Sequence, residues 1–274
     1  RALSIASFTS QKRRNFNINI KENISVGTID RFDLLDIAAG KTLTVTKLLD
    51  YSASNSMPKG QLRFNGNSTL VMQAPASAWC RVGGMNIRGA NNRLKCRRNA
   101  PLNIEGGWGV TTDGVNKLII GPYSDGSKGV SGDAILRAQQ QNIIRAQHYT
   151  VDFENPGLYP SAEGATLYLR EPRVRVTNFT SAGVQTTQQK FYSMADAFDY
   201  IKTENKPGEY EVALLANYRF TQTEANALKG LTNLQAKKVI FTTRPEPGGS
   251  RYVWQGADSS AEMFLPDQGA KAQD

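Results

Sequence analysis

The sequence predicts a mainly β protein in which a parallel β-helix solenoid is followed by a smaller α+β region. Short apolar strands recur at nearly constant spacing between residues 67 and 145, and a second set of strands runs between them with the same spacing. Beyond residue 190, segments with helical spacing appear. The chain has 274 residues, of which 39% are apolar, and this is enough to bury a sizeable core.

The first set of strands follows polar lead-ins that contain Asn or Gln. Its apolar centres are separated by 24, 24 and 25 residues, and they are Leu70, Leu94, Leu118 and Ile143. Asparagine tolerates left-handed backbone geometry, and its amide can bond to an equivalent residue above or below. We therefore expect the lead-in asparagines, Asn67, Asn92, Asn116 and Asn142, to lie at the corners of a solenoid.

The second set has separations of 23, 25 and 24 residues, and its members are Leu62/Phe64, Met85/Ile87, Val110/Thr112 and Ala134/Leu136. Strands this short bury little surface alone, so each unit must stack on its neighbours. Equivalent residues would then lie roughly 4.8 Å apart. The alternative is an antiparallel meander or β-sandwich, but Asn65-Gly66 is the only Asn-Gly dipeptide in the sequence.

The segments before the repeat predict an N-terminal arm with strands over residues 1–40. A basic triplet at residues 12–14 precedes alternating strands at residues 16–20 and 23–26. The solenoid is predicted over residues 41–180. Its first unit is centred on Leu43, which precedes Leu70 by slightly more than one repeat period.

A Thr-, Gln- and Ser-rich stretch at residues 180–190 predicts a linker, and residues 191–274 predict an α+β module. Ser193 can cap a helix that continues to Ile201. Thr221 and Glu224 have the spacing of a capping box at the start of a second helix, predicted over residues 221–234. Strands are expected at residues 210–215 and 238–243.

Composition limits the classes of partner. The net charge of +9 favours polyanionic partners, but no zinc-finger, KH or RRM signature occurs, so nucleic acid is not the expected one. With one histidine, and with cysteines only at Cys80 and Cys96, neither a metal site nor a cofactor is predicted. A disulfide between the two cysteines stays open. No apolar run in the sequence is long enough to span a membrane as a helix.

Four basic residues around one repeat unit are the best-defined candidate for polyanion binding: Arg93, Lys95, Arg97 and Arg98. Arg93 and Lys95 alternate with Leu94 and Cys96, so we expect the basic pair to point outward. Aromatic rings can stack on sugars, and the candidates on loops or strand ends are Trp79, Trp108, Tyr123 and Tyr149.

Three residues are candidates for catalysis. Glycoside hydrolysis needs two carboxylates, which Asp113 and Asp133 could supply from adjacent repeat units, with Asp113 level with Arg137 one unit later. His148 could act as a general base. The structural alternative is that these aspartates are ordinary turn residues, because Asp-Gly and Gly-Asp pairs favour turns.

Region 62–146 resembles the right-handed parallel β-helix family of pectate-lyase-like proteins, which includes phage tailspikes. The resemblance rests on Gly84-Met85-Asn86-Ile87-Arg88-Gly89, Asn91-Asn92-Arg93-Leu94, Gly114-Val115-Asn116-Lys117-Leu118-Ile119-Ile120 and Gly132-Asp133-Ala134-Ile135. It implies a right-handed solenoid, a glycan groove formed by long turns, and homo-oligomers, commonly trimers. The Asn-Thr-Asp and Gly-His-Gly motifs of polygalacturonase-type members are missing.

The expected function is therefore that of a tailspike-like receptor-binding protein. It would be extracellular or on a virion surface, and it would engage an acidic polysaccharide. Two alternatives stay open: a structural surface or virion protein that assembles with other surface proteins without binding glycan, and a fragment of a polysaccharide hydrolase or lyase.

Overall fold

A computed structural model describes residues 17–51, 60–113, 116–122, 131–140, 143–151, 157–243 and 251–255. These residues form twenty strands, two α-helices and one 3-10 turn, so the prediction of a mainly β protein is confirmed. The chain divides into two compact units, Arg1–Arg170 and Glu171–Asp274. Within the described ranges, neither helix is long and apolar enough to cross a membrane.

The first unit contains fourteen of the described strands and the 3-10 turn Ala146–His148. The strands are β1 (Asn17–Ile20), β2 (Ile24–Asp30), β3 (Leu34–Ile37), β4 (Thr42–Asp50), β5 (Gln61–Asn65), β6 (Thr69–Met72), β7 (Arg81–Arg88), β8 (Arg93–Cys96), β9 (Leu102–Thr112), β10 (Leu118–Pro122), β11 (Asp133–Ala138), β12 (Tyr149–Val151), β13 (Tyr159–Glu163) and β14 (Thr166–Arg170).

Two parallel ladders organise these strands. One ladder joins β2, β4, β6, β8, β10 and β12, and the other joins β1, β3, β5, β7, β9 and β11. From β1 to β12, therefore, strands that follow one another in the chain lie in different ladders. This confirms two alternating strand sets, but the strand predicted around Ile143 is wrong, because the last strand of the first ladder is β12, which begins at Tyr149. The meander alternative is wrong here, because a meander pairs consecutive strands antiparallel.

The sheet as a whole is mixed. The hairpin of β13 and β14 is antiparallel, and β14 also pairs antiparallel with β11 at the end of the second ladder. The two ladders meet at one point, where Asp50 at the end of β4 lies opposite Arg81 at the start of β7. Fourteen strands thus belong to a single sheet.

The predicted register is confirmed in the first half of the repeat. Leu43 lies opposite Leu70 and Leu70 opposite Leu94 in the first ladder. In the second ladder Leu62 lies opposite Met85, which lies opposite Val110. Val110 is partly buried and packs against one continuous hydrophobic core, to which the other five side chains belong.

The predicted register is wrong beyond Leu94. Ile120 pairs with Leu94, and Leu118 pairs with Tyr149. The segment before β10 is slightly longer than the repeat period allows, and this extra length moves Leu118 out of line. In the second ladder, β11 pairs with the first half of β9, so Leu136 lies opposite Leu102 and not beside Thr112.

The asparagine corner is built from two neighbouring residues per unit. Asn67 and Asn91 have left-handed backbones, with φ of 60° and 59°, and the Asn91 amide donates to Asn67 Oδ1 at 3.2 Å. Asn92 is fully buried, and its Oδ1 accepts from the Ser68 N–H and hydroxyl at 3.2 and 2.9 Å. The left-handed position predicted for Asn92 therefore belongs to Asn91. Asn142 lies outside the described residues.

The second unit has six described strands and two helices: β15 (Val174–Phe179), β16 (Gln185–Phe191), α1 (Met194–Glu204), β17 (Gly208–Leu214), β18 (Tyr218–Arg219), α2 (Gln222–Lys229), β19 (Ala236–Thr242) and β20 (Trp254–Gln255). Four strands form a sheet in the order β16-β15-β17-β19. β17 and β19 are parallel, with α2 between them in the chain, whereas β15 runs antiparallel to both its neighbours.

Both helices of this unit begin at the N-cap residues that the sequence predicts. Ser193 accepts from the Asp196 N–H ahead of α1, and the capping box of Thr221 and Glu224 is present ahead of α2. α2 ends at Lys229 and is shorter than predicted. The linker predicted at residues 180–190 is wrong, because most of it belongs to β16. The unit also begins earlier than the predicted module, and β15 pairs within it.

Candidate functional site

The basic residues of β8 have the predicted orientation. Leu94 and Cys96 are fully buried, whereas Arg93 and Lys95 are partly exposed on the other face of the strand. Arg97 and Arg98 are exposed in the turn that leads from β8 to β9.

Asp133, a predicted catalytic carboxylate, forms an ion pair with one of these basic residues. Its side chain is only 2% exposed, and Arg98 Nε lies 3.2 Å from its Oδ1. Asp133 is the first residue of β11, and Arg98 reaches it from the turn before β9. A buried carboxylate needs such a partner, because charge without one is costly to bury. The contact therefore has a structural role.

Asp113 holds a turn. Its Oδ2 accepts from the Gly89 N–H at 2.9 Å and from the Asn116 amide at 2.8 Å, and its Oδ1 accepts from the Asn116 N–H at 3.1 Å. The predicted alignment of Asp113 with Arg137 is wrong, since Arg137 lies opposite Asn103. The same pairing that displaces Leu136 is responsible, because β11 pairs with the first residues of β9 and Asp113 follows its last residue.

The remaining candidates lie in different environments. His148 ends the 3-10 turn and is partly buried, with its ring 6.4 Å from that of Tyr149. Tyr149 is fully buried, and burial raises its pKa, so its prediction as a surface glycan contact is wrong. Trp108 lies in β9, but its side chain is outside the described residues, as is the whole of Tyr123.

Trp79 is the one exposed aromatic side chain among those that the structure describes, at 55% exposure. Its indole N–H donates to Glu105 Oε1 at 2.6 Å. The bond fixes the ring at the surface although more than half of it faces solvent. An exposed ring held in one orientation has already lost the freedom that ligand binding would otherwise remove.

Arg81 binds the same carboxylate as Trp79 and bridges it to a second one. Its Nε and Nη2 donate to Asp50 at 2.6 and 3.3 Å, and its Nη1 donates to Glu105 at 3.1 Å. The Tyr51 ring centroid lies 5.7 Å from the guanidinium carbon. The hydrogen bond to Asp50 raises the pKa of Arg81 above its usual value. We call Asp50, Tyr51, Trp79, Arg81 and Glu105 the Trp79 cluster.

The ladders bring the Trp79 cluster together from three parts of the chain. Asp50 ends β4, Arg81 begins β7, and Arg81 lies opposite Asn103, two residues before Glu105 in β9. The three charged side chains are 19 to 31% exposed, so they are shielded on the protein side and open on the other.

The turn that carries Trp79 stacks on the turn that carries Arg97 and Arg98. The Gln73 N–H donates to the Val45 carbonyl at 2.8 Å, and the Arg97 N–H donates to the Met72 carbonyl at 2.9 Å. Residues 73 and 97 therefore leave the first ladder at the same place, one layer apart. Turn 73–80 then enters β7, and turn 97–101 enters β9. We call these two segments the stacked turns.

A search of protein-family models, one of curated proteins and one of solved structures each find no match to this chain. The site must therefore be interpreted from its own geometry. Within the described ranges, no group of three or more His, Cys, Asp or Glu side chains could hold a metal ion.

Sequence reasoning identified Trp79 but missed its charged neighbours. Arg81 and Glu105 are separated by one repeat period, and they have opposite charges. Such a pair predicts an ion pair between adjacent layers of a solenoid. Asp50 gave no comparable signal, because its separation from Arg81 does not match the repeat period and it belongs to the other ladder.

Proposed function

We propose that this chain is a tailspike-like, cell- or virion-surface protein that binds an acidic polysaccharide on a right-handed parallel β-helix. The observation that carries the proposal is the exposed, hydrogen-bonded ring of Trp79 on turn 73–80, which begins one layer from the turn that carries Arg97 and Arg98.

The chemistry of these turns suits a sugar chain that carries acidic groups. An exposed indole offers an apolar face to the C–H groups of a sugar ring. Carboxylates accept hydrogen bonds from sugar hydroxyls, and arginines bind carboxylate or sulfate groups. Aromatic walls with a few polar groups at fixed positions are typical of small-molecule sites.

The parallel ladders support the solenoid part of the proposal. Successive strands that alternate between two parallel ladders are the arrangement expected of a β-helix. The right-handedness, the surface location and a trimeric assembly follow from the resemblance to tailspikes alone.

The proposed function is glycan binding, and no catalytic activity is assigned to the chain. Of the predicted catalytic pair, Asp113 accepts hydrogen bonds within a turn and Asp133 forms an ion pair with Arg98. The two alternatives, a structural surface protein and a fragment of a hydrolase or lyase, are outcomes of the same test.

The test is calorimetric titration of the purified chain with a panel of acidic capsular polysaccharides. We expect saturable binding that Arg97→Ala weakens by about 2–5-fold, the effect of one exposed charge contact. Arg251→Ala, which removes an exposed basic residue of the second unit, is the matched control and leaves binding unchanged.

Incubation of the same mixtures, followed by size-exclusion chromatography, separates a binder from an enzyme, since only an enzyme yields shorter glycan products. A solution mass of three chains is expected for a spike. Absence of binding to every polysaccharide in the panel would leave the structural alternative and reject the proposal.

A further inference from the structure

We infer that the Trp79 cluster is a subsite for an uncharged sugar ring, separate from the arginines that hold an acidic group. This inference rests on the proposed function. The ligand would then be a heteropolysaccharide in which neutral and acidic residues follow one another, and the two stacked turns would each bind one kind.

The charges of the Trp79 cluster argue against an acidic sugar at this position. Asp50 and Glu105 both bind Arg81, so the indole belongs to a cluster that contains two carboxylates. Glu105 is also the residue that bonds the indole N–H, so any ring stacked on Trp79 lies close to its carboxylate. A uronate or sialate there would meet like charge, which disfavours binding.

The same groups favour a neutral ring. Ionised carboxylates only accept hydrogen bonds, and the hydroxyls of a neutral sugar can donate to them. Hydrogen bonds to a charged acceptor are about twice as strong as those between neutral groups. The indole supplies the apolar contact, and its fixed orientation lowers the entropic cost of stacking.

The acidic group belongs in the neighbouring turn. The turn that carries Arg97 and Arg98 begins one layer from the start of the Trp79 turn. Neighbouring layers are close enough for one glycan chain to contact both turns. Arg97 is exposed, whereas Arg98 also binds the buried Asp133, so Arg97 is the first choice for contact with the ligand.

The test compares the full chain with its variants by saturation-transfer NMR and calorimetry. The probes are neutral hexasaccharides of glucose, galactose, mannose and N-acetylglucosamine, together with acidic hexasaccharides of galacturonate, guluronate and sialate. We expect at least one neutral probe to bind, and Trp79→Ala to weaken it at least about 10-fold, as for a central aromatic contact. Trp79→Phe is expected to retain part of the affinity.

Two further variants distinguish a subsite for neutral sugars from non-specific binding to the surface. Glu105→Gln keeps an oxygen for the indole bond but removes the negative charge, so we expect weaker binding of the neutral probe and several-fold stronger binding of acidic probes. Val184→Ala, which trims an exposed apolar residue of the second unit, is the matched control and is expected to change neither.

Each outcome decides between the inference and the proposed function. If neutral probes bind equally well to the chain and to Trp79→Ala, or do not bind at all while acidic ones do, the inference is overturned and the proposed function stands. If acidic probes lose affinity in Trp79→Ala but not in Glu105→Gln, the subsite takes acidic sugars instead. If no probe of either kind binds, the proposed function fails first.

Discussion

At the scale of single residues, burial decides what the two thiols can do. Cys96 is fully buried at the end of β8, and burial raises the pKa of its thiol to about 12. Cys80 is nearly buried, its Sγ accepts from the Leu49 N–H at 3.4 Å, and burial raises its pKa as well. Both are free thiols that act as small core side chains and not as nucleophiles.

Stability is therefore expected to fall in mild alkali. Below the pKa of an unfolded thiol, near 9, Cys96 is protonated in both states and contributes no pH dependence. Between about pH 9 and pH 12 the unfolded thiol loses its proton while the folded one keeps it, so the free energy of unfolding drops by up to about 1.4 kcal/mol per pH unit.

Urea unfolding at pH 8 and pH 10 measures this effect. The natural chain is expected to lose about 1 kcal/mol more than Cys96→Ala across that interval, although the variant is less stable at each pH because of the cavity. Equal losses in both proteins, or alkylation of native Cys96 as rapid as in urea, would contradict the assignment.

At the scale of elements, one carboxylate joins the starts of both helices of the second unit. Glu224 is 5% exposed, and its Oε2 accepts from the Thr221 N–H at 2.8 Å within the capping box. Its Oε1 accepts from the Met194 N–H at 3.0 Å, in the first turn of α1, and from the Tyr218 hydroxyl. Burial, followed by the bond to Glu224, raises the pKa of Tyr218.

Removal of this carboxylate should cost more than loss of an ordinary cap. Glu224→Ala leaves the Met194 N–H and the Tyr218 hydroxyl buried with fewer partners, so we expect a loss of about 2–4 kcal/mol in the second unit. Gln222→Ala, at an exposed position of the same helix, is the control and should stay within about 0.5 kcal/mol. Thermal unfolding, monitored by circular dichroism, measures both variants. Equal losses of stability in Glu224→Ala and Gln222→Ala would contradict the role of Glu224 at both helix starts.

At the scale of the whole molecule, two hydrophobic cores that share no residue stabilise the chain. The first follows the two ladders from Ile20 to Leu169, and the second lies between α1, α2 and their sheet. In the first core, the backbones of adjacent layers approach closely at Gly106, where a Cβ would lie 2.1 Å from the Gly83 carbonyl oxygen. No side chain fits there unless the backbone shifts.

Two unfolding transitions are therefore expected, and they can be assigned by mutation. Gly106→Ala should lower only the transition of the first unit, by more than about 2 kcal/mol, because it forces backbone atoms apart. Glu224→Ala should lower only the other. Gly66→Ala, whose nearest atom would be 3.9 Å away, is the control for the first unit. A single transition that moves equally with either variant in calorimetry would show that the units unfold together.

The sequence by itself determined the repeat, the two strand sets, the outward direction of Arg93 and Lys95, and the caps of both helices. The strand sets depend on apolar residues that recur about once per repeat, and the other features depend on residues a few positions apart. They survive in the structure because alternation and capping act within one strand or one helical turn.

Only the tertiary structure decided the register beyond Leu94 and the members of the Trp79 cluster. Extra length before β10 displaces Leu118, and no local pattern reports that change, because Leu118 and Ile120 are equally apolar. Asp50 meets Arg81 only because the two ladders touch at that point. A contact between residues whose separation lies outside the repeat period is fixed by how the layers stack, and the site of the proposed function depends on it.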